Sequence, residues 1–140
     1  LGLTLDTKRE DIYKAMMEGA NYELAVILDD LALAGLRLEK IVATGGALSP
    51  NLLQIKADIL GKEICTVKNR QTGTLGGAIL GSVAAGIYRS VSEGVQAMVS
   101  GDRVYEPDTE RARIYREKLE IYKEIYPAIA KIQHKNIKRR

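Results

Sequence analysis

Apolar residues recur every three or four positions through Ile12, Met16, Ala20, Leu24, Ile27, Leu31 and Ala34. That period predicts one apolar face of a long helix. Thr7-Lys8-Arg9-Glu10 reads as a capping box that starts the helix near Lys8, and Gly35 ends it. The pattern then changes. Leu38-Glu39-Lys40-Ile41-Val42 reads as a short buried strand, and the stretch from Leu52 to Leu60 as a helix. Ser49 caps that helix, Pro50 takes its first position and Gly61 lies past its end. Ile64-Cys65-Thr66-Val67 is rich in β-branched residues and reads as a second strand. A small-residue helix from about Thr74 to Tyr88 follows, and Ser90-Val91-Ser92-Glu93 opens a short helix carrying Val95, Met98 and Val99. After an extended Arg103–Pro107 segment, Asp108 or Thr109 caps a final helix. Its apolar face is Ile114, Leu119, Tyr122, Ile125 and Ile129, with a break or bend at Pro127.

Strands separated by helices predict parallel pairing in a layered α/β fold. Two strands make a poor sheet, and about five would be usual for such a layer. On this reading about three strands precede residue 1, and the chain is a piece of a longer protein. Its 140 residues suffice for one core.

The crossing Ala43-Thr44-Gly45-Gly46-Ala47-Leu48-Ser49-Pro50-Asn51 joins the first strand to a capped helix. Without a Cβ at Gly45 or Gly46, a planar base or a phosphate can approach the main chain closely. Ligands of open α/β sheets sit at such carboxyl ends of strands. The local pattern serves equally well as a tight turn needing positive φ, and it is neither a dinucleotide fingerprint nor a phosphate-loop motif. Both readings stand. Gly73, Gly77, Gly81 and Ala85 repeat at four-residue intervals on the third helix. Interior glycines cost about 1 kcal/mol each relative to alanine, so they need a reason. For Gly81 and Ala85 that reason is close contact with another helix, for instance beneath Gly19 or Ala20; the start of the helix stays open between packing and ligand.

Charge and composition narrow the classes. An apolar fraction of 46% and a charged fraction of 28% are ordinary globular values. The net charge of +3 comes from a C-terminal cluster of Lys131, Lys135, Lys138, Arg139 and Arg140. Without stacking aromatics or a reader motif the cluster reads as a solvated helix end, not a nucleic-acid site. No apolar run approaches the roughly 20 residues of a membrane span. The single cysteine, Cys65, forms no internal disulfide, fits a reducing cytoplasmic compartment and reads as inert core. His134, the one histidine, lies in the basic end, away from any predicted site.

Three stretches together resemble the C-terminal part of the FGGY family of carbohydrate kinases. They are Gly2-Leu3 with Asp11 to Glu18; Thr44 to Pro50 leading to Gln54, Ala57-Asp58 and Gly61; and Thr72 to Ala78 through Gly86-Ile87-Tyr88 and Tyr105-Glu106-Pro107-Asp108. The resemblance implies a ribonuclease-H-like lobe of the actin/Hsp70 ATPase type, truncated so that its first strands are missing. Residues 1–140 are then part of the C-terminal nucleotide-binding lobe, with the sugar-binding lobe and the catalytic aspartate upstream. The implied activity is ATP-dependent phosphorylation of a sugar hydroxyl with Mg2+ as cofactor. The closing stretch most resembles xylulose-type kinases.

By position, the resemblance gives Gly45, Gly46 and Ala47 a backbone role around adenine and ribose. It makes Ser49 the helix cap and brings Asn51 to the base edge. No catalytic or metal-binding residue is expected in this chain. Asn51 departs from the Ser-Pro-Leu-Trp run common in pentulose kinases, which makes the adenine face polar. Gly77 stands where alanine is usual. Gln54 and Asp58 read as structural. The expected partners are a small sugar and ATP, with no nucleic acid and no membrane. An unpaired sheet edge and an exposed apolar helix face also predict self-association, for instance as a homodimer. Two other classes share the fold: an actin/Hsp70-like ATPase lobe without sugar chemistry, and a self-associating interaction module. The match from Asp11 to Glu18 favours the sugar kinases.

Overall fold

The computed structural model describes residues 2–36, 38, 40–46 and 49–137. Glu39 of the first strand reading, Ala47 and Leu48 of the glycine turn, and Lys138, Arg139 and Arg140 of the basic end lie outside the described residues. The elements are α1 (Arg9–Leu33), β1 (Ile41–Ala43), α2 (Pro50–Leu60), β2 (Ile64–Val67), α3 (Thr72–Ala84), α4 (Val91–Met98), β3 (Gly101–Tyr105) and α5 (Thr109–Ile137).

The sheet has the order β1-β2-β3. β1 and β2 are parallel, with Ile41 opposite Ile64 and Ala43 opposite Thr66. β3 is a correction to the sequence reading, which took its second half as merely extended and missed the strand. It pairs antiparallel with β2, Ile64 opposite Tyr105 and Val67 opposite Gly101. Its Gly-Asp-Arg start hides the usual apolar alternation, because the strand lies at an edge and is largely exposed. The register slips between Cys65 and Val67. There the Arg103 N–H donates to the Thr66 hydroxyl at 3.1 Å, so a side chain satisfies the backbone donor that the irregular ladder frees.

Three layers result: the sheet, then α2, then α1 and α5. Ala43, Leu53, Ala57 and Ile64 form the core between sheet and α2. Tyr22, Ala25, Ile59, Tyr115 and Leu119 form the core between α2, α1 and α5. Leu60 packs against both. The opposite face of the sheet is uncovered among the described residues. Val42 and Val104 flank Cys65 across the ladder and are both about half exposed. Cys65 is accordingly only half-buried, on that open face, and the expectation of an inert core thiol is corrected.

The helix boundaries follow their capping chemistry. Ser49 accepts from the Leu52 N–H at 3.2 Å, and Ser90 from the Glu93 N–H at 3.2 Å, both as predicted. Asp108 is the cap of α5, accepting from the Arg111 N–H at 2.9 Å. α1 ends at Gly35 in a Schellman arrangement, with the Leu36 N–H donating to the Leu31 carbonyl at 2.9 Å. Its start lies one residue later than expected. Asp11 accepts from the Lys8 N–H at 2.9 Å, while the Thr7 hydroxyl turns back to accept from the Thr4 N–H at 2.9 Å. α3 starts earlier than predicted, at Thr72, and ends at Ala84. α5 runs through Pro127 without breaking. The lost backbone donor and the clash of the ring with the preceding turn cost about 3 kcal/mol together, and side-chain bonds from Tyr122 and Lys123 to α1 hold the helix just before it.

Two packing expectations are overturned. The predicted α1 stripe is not its buried face: Ile12, Met16, Ala20 and Ile27 are exposed, and Tyr22 and Ala25 are buried instead. On α5, Ile114 points outward and Tyr115 inward. The glycine ridge of α3 also fails to meet α1. A Cβ at Gly73, Gly77 or Gly81 would have nothing within 4 Å. Leu75 and Ile79, two positions away and so on the other side of the helix, are the residues that pack. They face α4, where Gly94 leaves room: a Cβ there would lie 2.8 Å from Ile79 Cγ2.

The α1–α5 contact is aromatic and acidic. The Tyr22 and Tyr115 rings meet edge to face at 6.2 Å. Tyr115 donates to Glu18 at 2.8 Å, and Tyr122 to Glu23 at 2.6 Å. Burial, with Glu18 nearby, pushes the Tyr22 hydroxyl up to about 12. The bond to Glu23 and then burial push Tyr122 up to about 12. Burial, reinforced by the bond to Glu18, raises Tyr115 as well. All three hold their protons more tightly folded than unfolded, where tyrosine titrates near 10. Their contribution to stability is full below about pH 10 and is lost as pH climbs toward the folded values. Urea midpoints of the full-length protein are expected to decline above about pH 10, and less steeply for Tyr122→Phe. A profile that stays flat, or is identical in the variant, contradicts this account.

Candidate functional site

β1 ends at Ala43 and the next element, α2, begins at Pro50. Gly45 has φ +104°, a conformation that side chains strongly disfavour, so the turn itself requires glycine there. Gly46 has no such constraint. A Cβ at Gly46 would meet nothing within 4 Å, so its missing side chain serves neither backbone strain nor packing among the described residues. Ser49 closes the turn by capping α2, and Asn51 stands exposed on the first helical turn. Of the five residues read as a nucleotide site, the turn gathers Gly45, Gly46, Ser49 and Asn51; Ala47 lies outside the described residues.

Beside this turn lies a cleft of about 240 Å³ lined by Pro50, Leu53, Thr66, Arg70, Asp102, Arg103 and Tyr105. It shares the end of the sheet with the glycine turn, because Thr66 pairs with Ala43. Arg70 and Arg103 bring positive charge next to the positive end of α2, offset in part by the Asp102 carboxylate in the same cleft. The sequence reading did not place these arginines. The only signal was the extended segment from Arg103, whose pairing with β2 was not legible.

Behind the site, α2 is tied down. Asp58 is buried, at 2% exposure. It accepts from Gln54 Nε2 at 2.9 Å, from the Asp108 N–H at 2.9 Å and from Arg111 Nε at 2.7 Å. Gln54 Nε2 also donates to the Glu106 carbonyl at 2.8 Å. Gln54 and Asp58 therefore have the structural role expected of them: they latch α2 to the β3–α5 connection. The Asp58 carboxylate and, to a lesser degree, Asp108 raise the Arg111 guanidinium above its ordinary value.

A larger groove of about 640 Å³ lies elsewhere, between α1 and α5. Its Asp29 is already engaged, by Lys123 at 2.9 Å and Arg116 at 3.0 Å. Burial alone would raise this carboxyl, but those two bonds outweigh it and hold it below the usual carboxylate range. The groove contains none of the glycine-turn residues. Among the described residues no three His, Cys, Asp or Glu side chains converge to hold a metal, and no helix is long and apolar enough to cross a membrane.

Residues 1–85 match the model of the C-terminal domain of the FGGY family of carbohydrate kinases. A ribulokinase from Bacillus licheniformis is 34% identical over 138 residues, covering 94% of this chain and 25% of that protein. The gluconate kinase structure from Lactobacillus acidophilus superposes with a TM-score of 0.80 at 32% identity, over 93% of this chain and 26% of that one. A ligand-bound xylulose kinase from the same organism gives 0.77 at 32% identity, over 93% and 26%. The chain spans about a quarter of the length of the relatives it matches. Its fold is that of the actin/Hsp70-like sugar kinases, as the sequence resemblance implied.

Proposed function

This chain belongs to the FGGY family of carbohydrate kinases, and from that premise we propose that it supplies the adenosine-binding part of an enzyme that phosphorylates a sugar hydroxyl with ATP. The observation that carries the reading is Gly46, a residue whose missing side chain neither the turn nor any described neighbour requires. Space left open beside exposed backbone, at the carboxyl end of a strand and the amino end of a helix, is what a nucleotide needs. Gly45 shapes the turn, Ala47 takes the backbone role that the resemblance implies, Ser49 fixes the start of α2, and Asn51 bonds the base edge. Arg70 and Arg103 supply positive charge beside the turn.

Residues 1–140 form part of the C-terminal lobe, and the acceptor pocket and general base belong to the rest of the enzyme. ATP donates the γ-phosphoryl group, and Mg2+ neutralises the phosphate oxygens. No residue of this chain is assigned to the metal. The lobe contributes binding and orientation, which for a loose phosphoryl-transfer transition state is most of what a protein supplies. The substrate we propose is a pentulose. The sequence resemblance favours xylulose, and the names of a ribulokinase and a xylulose kinase among its relatives support the class. The enzyme works in the cytoplasm on soluble substrates.

Full-length protein supplied with ATP and a panel of xylulose, ribulose, gluconate and glycerol is expected to consume ATP only with a pentulose. The 140-residue chain alone should transfer no phosphoryl group to any of them. ATP turnover independent of every sugar would instead favour a motion-transmitting ATPase. Sugar phosphorylation by the isolated chain would overturn the division of labour between the lobes.

A further inference from the structure

The cleft beside the glycine turn holds three charges that do not pair with one another. Arg70, Asp102 and Arg103 all line it, yet none of the ion pairs among the described residues includes any of them. Asp102 is exposed, and its carboxylate has one hydrogen bond among the described residues, from the Thr66 hydroxyl at 3.4 Å. Thr66 is itself buried and accepts from the Arg103 N–H at 3.1 Å, so it fixes the start of β3 and with it the place of Asp102. Ala43, Thr66 and Asp102 thus stand in a row across the end of the sheet from which the glycine turn departs. Two strand spacings, about 9 to 10 Å, separate β1 from β3 along that row. At about 240 Å³ the cleft is smaller than the roughly 300–1,000 Å³ of a pocket that encloses a whole drug-sized ligand. That is room for one part of a nucleotide.

Resting on the nucleotide reading above, we propose that Asp102 recognises the ribose of ATP, its carboxylate accepting from the two ribose hydroxyls. Chemistry selects this part of the nucleotide. A carboxylate only accepts hydrogen bonds. The triphosphate brings acceptors and negative charge, and the pairing edge of adenine sets an acceptor beside its amino donors. The ribose diol alone offers two neighbouring donors, which the two carboxylate oxygens match. Dinucleotide-binding α/β folds pair an acidic side chain with a ribose hydroxyl in the same manner, also at the carboxyl ends of strands. With the base at Gly46 and Asn51, a nucleoside laid across two strands reaches Asp102. Arg70 and Arg103 flank the phosphate end, where their charge offsets the carboxylate. Pro50 and Leu53 give the cleft an apolar wall. The site therefore prefers ribonucleotides to 2′-deoxyribonucleotides, which lack one of the two donors.

Calorimetric titration of the full-length protein with ADP and with 2′-deoxy-ADP tests this without turnover. Wild type should bind ADP about tenfold more tightly than 2′-deoxy-ADP. Asp102→Ala should weaken ADP the more of the two and shrink the preference to about twofold or less. The variant keeps the bond from the Arg103 N–H to Thr66, and a melting curve verifies its fold. A merely structural role for Asp102 would weaken both ligands by one factor. That result, a preference retained in the variant, or a wild type without one overturns the proposal. Gly46→Val separates this inference from the reading beneath it, because it should weaken both ligands alike. If it does so while Asp102→Ala leaves the preference intact, the assignment of Asp102 fails and the nucleotide site stands. If Gly46→Val changes neither affinity, the nucleotide reading fails and this proposal with it.

Discussion

Full-length protein carrying Gly46→Val should fold normally and turn over near its wild-type rate at saturation, with a KM for ATP raised about tenfold or more. The structure separates folding from binding at this position. Gly45 cannot be replaced without strain, because its φ of +104° belongs to glycine. Gly46 lies in an ordinary backbone region, and a Cβ there meets no atom within 4 Å. The first carbon of the new side chain therefore has no described protein atom to displace. It projects into the space assigned to base and ribose, and the loss falls on nucleotide binding. Steady-state kinetics with varied ATP at saturating sugar measures this, alongside a melting curve to verify the fold. A wild-type KM would mean that the adenosine lies elsewhere.

Asp58→Ala should destabilise the fold by about 2–4 kcal/mol. Three donors lose their acceptor at once, among them the Asp108 backbone N–H at the start of α5. Arg111 can turn to water, since its side chain is already 52% exposed. Gln54 keeps its bond to the Glu106 carbonyl. The loss therefore comes mainly from the stranded N–H and the emptied space, and little from the ion pair itself. Arg111→Ala should accordingly cost markedly less. The midpoint of thermal unfolding of the two variants compares them, and equal shifts would show that the ion pair, not the latch to the α5 start, dominates.

The legible parts of this fold were those written in local chemistry. Ser49-Pro50 and Gly61 bracket α2, Ser90 and Asp108 cap α4 and α5, and each boundary rests on a bond within three or four residues. The strands Ile64–Val67 and Ile41–Ala43 carry enough β-branched or apolar residues to be seen. β3 was not, because an exposed edge strand has no need of alternation and draws its pairing from residues some 37 positions away, as with Arg103 and Thr66. The faces of α1 and α5 were misread for a different reason. Each helix carries two apolar sides, and periodicity reports that a stripe exists without saying which stripe is covered. Tyr22 and Tyr115 won the buried positions because their rings meet edge to face across α1 and α5 and the Tyr115 hydroxyl donates to Glu18. The candidate site divides in the same way. The glycine turn was legible as a motif, whereas Arg70 and Arg103 join it only through the fold.

α3 and α4 pack on each other and on no other element among the described residues. Their contact centres on Ile79 seated over Gly94. A pair joined to the sheet only through the links before α3 and after α4 can open without disturbing the register of β1, β2 and β3. Among the described residues there are thus two parts, a core fastened by Asp58 and an outlying helix pair expected to open at lower free energy. Substitutions in that pair would then change how often it opens while leaving the global unfolding of the core where it was.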